Sequence, residues 1–214
     1  MSFYAHTRFL LSALRLSQLP SVEGVEVAFA GRSNAGKSSA INAITGVSGL
    51  ARASKMPGRT RAINLFQVDE GRYLADLPGY GYARMPEAMA RELQRLMSRY
   101  LEKRRSLQGL ILVMDIRHPL KASDIQMLEH GHRAGLPIHV LLNKRDKLGR
   151  GAAGRVLREV RARLADMPHA TAQLFSARTG EGVEEARERI EAFWQKKAPV
   201  RGNRGKQTRL GDAG

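Results

Sequence analysis

The stretch Gly31-Arg32-Ser33-Asn34-Ala35-Gly36-Lys37-Ser38 decides the fold. It fits the spacing G-x-x-x-x-G-K-[S/T] and stands between an apolar run at 25–29 that reads as a strand and a segment at 37–44 that reads as a helix. Its glycines let the chain curl until backbone N–H groups converge on a β-phosphate, which also meets the positive end of the following helix. In such a loop Lys37 bridges the β- and γ-phosphates and Ser38 offers its hydroxyl to Mg²⁺. All eight residues from Gly31 to Ser38 are therefore candidate nucleotide contacts, with Lys37 also a catalytic candidate.

Outward from this loop the chain alternates strand and helix. Strands are predicted at 62–68, 72–75, 110–115, 138–143 and 171–175, and helices at 86–106, 122–134, 152–165 and 183–197. With the strand at 25–29 this is an α/β pattern. It predicts a mostly parallel six-stranded sheet with helices on both faces, the Ras-like P-loop fold, over residues 22–198. Ahead of it, residues 1–21 carry an apolar patch (Phe9, Leu10, Leu11, Leu14, Leu16, Leu19) that is short for a signal peptide and reads as an amphipathic extension packed on the domain. Residues 199–214 hold almost nothing to bury and read as a disordered basic tail.

The nucleotide is chosen by a second motif. Asn143-Lys144-Arg145-Asp146 closes the strand at 138–143, at the sheet edge where ligands of open α/β sheets bind. A carboxylate at Asp146 can accept both N1–H and N2–H₂ of guanine, a pair of donors that adenine does not present. Asp76-Leu77-Pro78-Gly79 supplies D-x-x-G, in which Asp76 holds Mg²⁺ through water and the Gly79 amide senses the γ-phosphate. Phe175-Ser176-Ala177 matches the S-A element whose backbone N–H caps guanine O6. Between P-loop and D-x-x-G lies Gly58-Arg59-Thr60-Arg61-Ala62, where Thr60 is the candidate for a hydroxyl on Mg²⁺ and the γ-phosphate; Thr45 falls at the end of a helix. The metal ligands are thus Ser38 and Thr60, and the catalytic set is Lys37, Thr60 and Gly79.

Thirty-six Lys and Arg against twenty Asp and Glu leave a net charge of +16 over 214 residues. The tail from Lys196 onward holds only six of those cations, so most of the positive field belongs to the folded body and suits a polyanionic partner. Arg91, Arg95 and Arg99 recur on the helix at 86–106, read either as a basic ridge facing RNA or as a solvated face balanced by Glu87, Glu92 and Glu102. The absence of cysteine excludes disulfides, zinc ribbons, Fe–S clusters and thiol catalysis. No apolar run approaches the ~20 residues of a membrane span.

Together these segments, with Asp76-Leu77-Pro78-Gly79-Tyr80-Gly81-Tyr82-Ala83 as the most specific, resemble the EngB (YihA/YsxC) family of GTP-binding proteins. The resemblance implies a cytoplasmic, Mg²⁺-dependent GTPase cycling between GTP and GDP. It also implies action on assembly of the large ribosomal subunit and its rRNA, a link to division and septation, no integral membrane association, and a monomer. Asn34 matches the P-loop asparagine that helps ligate K⁺ in relatives such as MnmE, which adds K⁺ as a candidate ligand. Tyr80 stands where Ras-like proteins carry the glutamine that orients water, which predicts slow intrinsic hydrolysis. The alternative is a membrane- or division-associated scaffold that uses the basic tail on anionic lipid.

Overall fold

In the computed structural model, residues 3–21, 23–52, 62–81 and 86–195 are described. Seven strands form one sheet: β1 (Arg8–Ala13), β2 (Val25–Gly31), β3 (Ile63–Asp69), β4 (Arg72–Asp76), β5 (Leu107–Asp115), β6 (Ile138–Asn143) and β7 (Ala170–Leu174). Five α-helices accompany them: α1 (Lys37–Thr45), α2 (Glu87–Lys103), α3 (Ala122–Arg133), α4 (Arg150–Arg163) and α5 (Val183–Gln195). The strand order is β1-β3-β4-β2-β5-β6-β7; β1–β3 and β3–β4 are antiparallel and the other pairs are parallel.

The predicted count of six strands is corrected to seven. The extra strand is β1, which comes from the segment expected to be an amphipathic extension; it lies on the sheet edge with Arg8 opposite Gln67 and Ala13 opposite Ile63. Its periodicity conceals it. A register shift between Phe9 and Leu11 breaks the two-residue alternation, and Phe9 and Leu10 are exposed rather than one in and one out.

Parallel strands covered on both faces are apolar throughout, and β5 shows this best. Leu110, Leu112 and Met114 point into a core shared with α2, α3 and α4, while Ile111 and Val113 point into the one under α1 and α5. Ile190, Phe193 and Trp194 of α5 fill the second core. Gly109 on β5 is dictated by α5, because a Cβ there would stand 2.3 Å from the Phe193 ring. At the far end of β2 from the P-loop, Glu26 is fully buried and accepts hydrogen bonds from the Tyr100 hydroxyl, from Arg104 at 2.9 and 3.0 Å, and from Ser106 at 3.2 Å. This anchors α2 and the start of β5 to the central strand. Burial, with the Glu26 carboxylate beside it, pushes the Tyr100 phenol well above its usual range, so it stays a donor.

A second polar clamp joins the two strands that carry the guanine loops. His139 on β6 has Nδ1 2.7 Å from Thr171 Oγ1 and Nε2 2.7 Å from Gln173 Oε1, both on β7. Gln173 Nε2 donates to Gly182 O, which leaves its Oε1 as the acceptor and makes His139 Nε2 the protonated nitrogen. Burial holds the imidazole neutral, with its pKa lowered to about 4 from 6.5. The unfolded chain therefore takes up this proton at a higher pH than the folded one, and stability falls as pH drops from 6.5 toward 4. The expected loss from this group between pH 7 and pH 4 is about 3 kcal/mol. Urea unfolding at a series of pH values checks it: His139→Gln should flatten that part of the profile, and an unchanged slope would contradict the assignment.

Candidate nucleotide site

The C-terminal ends of β2, β4, β5, β6 and β7 converge on the P-loop. Asn34 has φ +66° and Gly36 φ +91°, left-handed conformations that curl the loop before α1 begins. At Gly36 the geometry excludes any side chain, since a Cβ would stand 2.3 Å from Asn143 Nδ2. The first α1 bond from outside the helix runs from Ala40 N to Gly36 O, so the amides of Lys37, Ser38 and Ser39 have no intrahelical acceptor. They form the positive end that suits a phosphate.

The carbonyls of the same loop are tied from behind by the guanine motif. Asn143 Nδ2 donates to Ala35 O at 2.9 Å and Gly36 O at 3.4 Å, and Lys144 Nζ donates to Asn34 O at 2.6 Å. Asn143 Oδ1 accepts from the Ala177 amide at 3.2 Å, so one buried side chain joins the P-loop to the S-A element. Lys144, itself at φ +65°, also donates to Asp115 Oδ2 at 2.9 Å. Burial opposes ionisation of Asp115, yet hydrogen bonds from Arg117 and Lys144 and the Arg117 amide hold its carboxyl far below the usual range. Asp115 was not among the predicted site residues. Its signal was available, as the charged residue closing the apolar run at 110–115 on a ligand-binding edge.

Asp146 is the base-reading group. Its Oδ1 accepts from Ser176 Oγ at 2.7 Å, and Arg178 Nε lies 3.2 Å from Oδ2. The Ser176 hydrogen bond, with Lys147 and Arg178 nearby, holds the Asp146 carboxyl below its usual range. Oδ2 accepts no hydrogen bond within the described protein and has almost no solvent exposure. A buried, ionised oxygen that has cations at 3.2 and 3.5 Å but accepts no hydrogen bond suits paired N–H donors such as those of guanine. Ser176 is fully buried, and Phe175 donates its amide to Leu142 O, so β7 places the S-A element beside Asp146. Arg145 borders the same loop, donating to Leu148 O.

On the phosphate side, Lys37 Nζ pairs with the buried Asp76 carboxylate at the end of β4. Ser38 on α1 and Asp76 supply hard oxygen donors, the set that suits Mg²⁺. Leu77 N donates to Phe29 O, and Ser33 N donates to Tyr80 O at 2.9 Å, which ties Leu77-Pro78-Gly79-Tyr80 to the P-loop strand. Gly79 lies against Ser33, whose Oγ would be 3.3 Å from a Cβ there. The Tyr80 ring turns away from the loop into the α2–α3 core, and its hydroxyl donates to Asp124 Oδ1 on α3 at 3.0 Å. Burial pushes both the phenol and the Asp124 carboxyl up, with Arg32 moderating each. The sequence pattern did not reveal Asp124, whose partner lies 44 residues away. Gly58, Arg59, Thr60 and Arg61 lie outside the described residues, as does Tyr82. Ala62 is described, directly before β3.

The model of 50S ribosome-binding GTPases matches residues 26–144. A probable GTP-binding protein EngB of Nitrosococcus oceani is 56% identical over 86% of this chain and 92% of its own. That of Salmonella paratyphi C is 51% identical over 92% of this chain and 94% of its own. The chain belongs to the EngB family of GTP-binding proteins. The solved structure of a probable GTP-binding protein engB superposes with a TM-score of 0.66 over 81% of this chain and all of that one; at 23% identity that likeness speaks to the fold. EngB membership accounts for the pairing of a P-loop with Asn143-Lys144-Arg145-Asp146, and makes the chain a GTPase by family.

The Ser176–Asp146 bond gives a quantitative test of the guanine pocket. A hydrogen bond to a charged group contributes about 1.5–3 kcal/mol, so Ser176→Ala should weaken GDP binding by roughly tenfold or more. Equilibrium binding of a fluorescent GDP checks this; affinity equal to the parent would show that Asp146 needs no such anchor.

Proposed function

We propose that this chain is a Mg²⁺-dependent GTP/GDP switch acting in assembly of the large ribosomal subunit, with a consequent link to division and septation. The observation that carries it is the joined site. Asn143 and Lys144 hold the P-loop carbonyls while Asp146 presents an ionised oxygen for guanine, beside a body that is strongly cationic. The ribosomal partner is supported by the family that matches residues 26–144, described as 50S ribosome-binding GTPases, and by a +16 charge suited to rRNA. No helix among the described residues is long and apolar enough to cross a membrane. We place the chain in the cytoplasm and acting as a monomer, with its 199–214 tail as a further cationic contact.

Ser38 would ligate Mg²⁺ and Asp76 would hold it through water, with Thr60 as its further ligand when the γ-phosphate is present. Bound there, the ion neutralises charge on the phosphate oxygens. Lys37 leaves Asp76 for the β- and γ-phosphates, and Gly79 offers its amide to the γ-phosphate. Asn34, in the left-handed conformation, is the K⁺ candidate. Hydrolysis by the protein alone is slow in this scheme, because the Tyr80 hydroxyl is engaged with Asp124 and no side chain at that position orients water.

Sedimentation with purified large ribosomal subunits, at fixed moderate salt, tests the function. Selective pelleting with a non-hydrolysable GTP analogue over GDP is expected, with single-turnover GTP hydrolysis faster in the subunit-bound sample than in the free one. Equal pelleting in both states would contradict a nucleotide-gated ribosomal partner.

A further inference from the structure

A groove of about 570 Å³ runs between residues 14–17 and one face of α2, away from the nucleotide site. Its chemistry is mixed in an orderly way. The floor is aliphatic, made of Leu16, Met89, Leu93 and Leu96, and Leu14 stands at its lip with 61% of its surface exposed. The rim is cationic: among the described residues Arg15, Arg95 and Arg99 border the groove, against the single carboxylate of Glu92. On the same helix Arg91 is paired with Glu87, whereas Arg95 and Arg99, one and two turns further on, have no carboxylate partner among the described residues. An aliphatic groove with an exposed leucine at its lip and a cationic rim suits an interaction site.

Three occupants can be weighed by chemistry. A second copy of this chain would bring another +16 against the arginine rim, so like charge opposes it. Single-stranded RNA would find phosphate partners in the rim but, among the described residues, no ring lining the groove to stack on. An amphipathic helix with acidic flanks satisfies both parts: its apolar stripe fills the Leu and Met floor, and its carboxylates meet Arg15, Arg95 and Arg99. The α2 wall from Met89 to Arg99 is ~15 Å long, the rise of about three turns of an incoming helix.

We propose that the groove between residues 14–17 and α2 is a docking site for an acidic amphipathic helix of a partner protein. This is a protein contact, separate from any rRNA contact of the basic body, and it does not depend on the ribosomal reading above. The site lies close to the nucleotide-sensing segments in the chain: Ala13, next to Leu14, pairs with Ile63, and α2 begins at Glu87, shortly after Gly79 and Tyr80.

The test uses the full-length protein, GDP-bound, against a displayed library of helical peptides. Leucines are fixed at positions i, i+4 and i+7, and the remaining positions are drawn from Asp, Glu, Lys, Arg and Ser. Acidic peptides should be enriched. A synthesised winner should bind roughly tenfold or more weakly to Leu14→Glu and to the double variant Arg95→Glu/Arg99→Glu, with GDP affinity unchanged in both. All three side chains are exposed, so these variants should keep the parental melting temperature. A U-rich RNA oligonucleotide, added as competitor at moderate salt, should not displace the peptide. Absence of enrichment, winners that are neutral or basic, equal binding to the variants, or displacement by the RNA would each overturn the proposal.

Discussion

The site rests on the side chain of Asn143. A loop that turns its amides toward a phosphate must turn its carbonyls the other way, and carbonyls left buried without donors would cost about 1–3 kcal/mol each. Asn143 supplies the donor to buried Ala35 O and a longer bond to Gly36 O, which also accepts from Ala40 N, while Lys144 donates to Asn34 O; Asn143 Oδ1 then takes the Ala177 amide. Base recognition and phosphate recognition are therefore not two sites side by side. They share a hydrogen-bonded frame, which requires Gly36 to lack a side chain and β6 to end beside the P-loop.

The sheet supplies that alignment. Asp115 on β5 lies opposite Asn143 on β6, and this register brings Lys144 to Asp115 and Asn34 together. The His139 clamp fixes β6 to β7, so Asp146 and Ser176 arrive at hydrogen-bond distance from separate strand ends. At the other end of β2, buried Glu26 holds α2 through Tyr100 and Arg104. The helix that lines the outer groove is thus anchored to the same strand that runs into the P-loop.

Much of this was legible in the sequence because phosphate and guanine chemistry allow few residue types at few spacings. Gly31 to Ser38, Asp76 to Gly79, Asn143 to Asp146 and Phe175 to Ala177 could be placed on strand ends from motif and alternation alone. What escaped were the partners. Asp124 meets Tyr80, and Asp115 meets Lys144, across separations that only the topology closes. The edge strand β1 escaped for another reason: an irregular register and two exposed apolar side chains erased the alternation by which half-buried strands are recognised. The arginines of α2 could be read as ridge or as solvated face from sequence; the fold sets Arg95 and Arg99 beside an aliphatic groove.

The most direct measurement is the affinity of inorganic pyrophosphate and of GDP for the protein and for Asn143→Ala, by titration followed in NMR spectra that also report the fold. If Asn143 holds the phosphate loop as well as the guanine loop, the variant loses affinity for both ligands, pyrophosphate included. A variant that binds pyrophosphate as well as the parent while GDP binding alone weakens would contradict the shared frame.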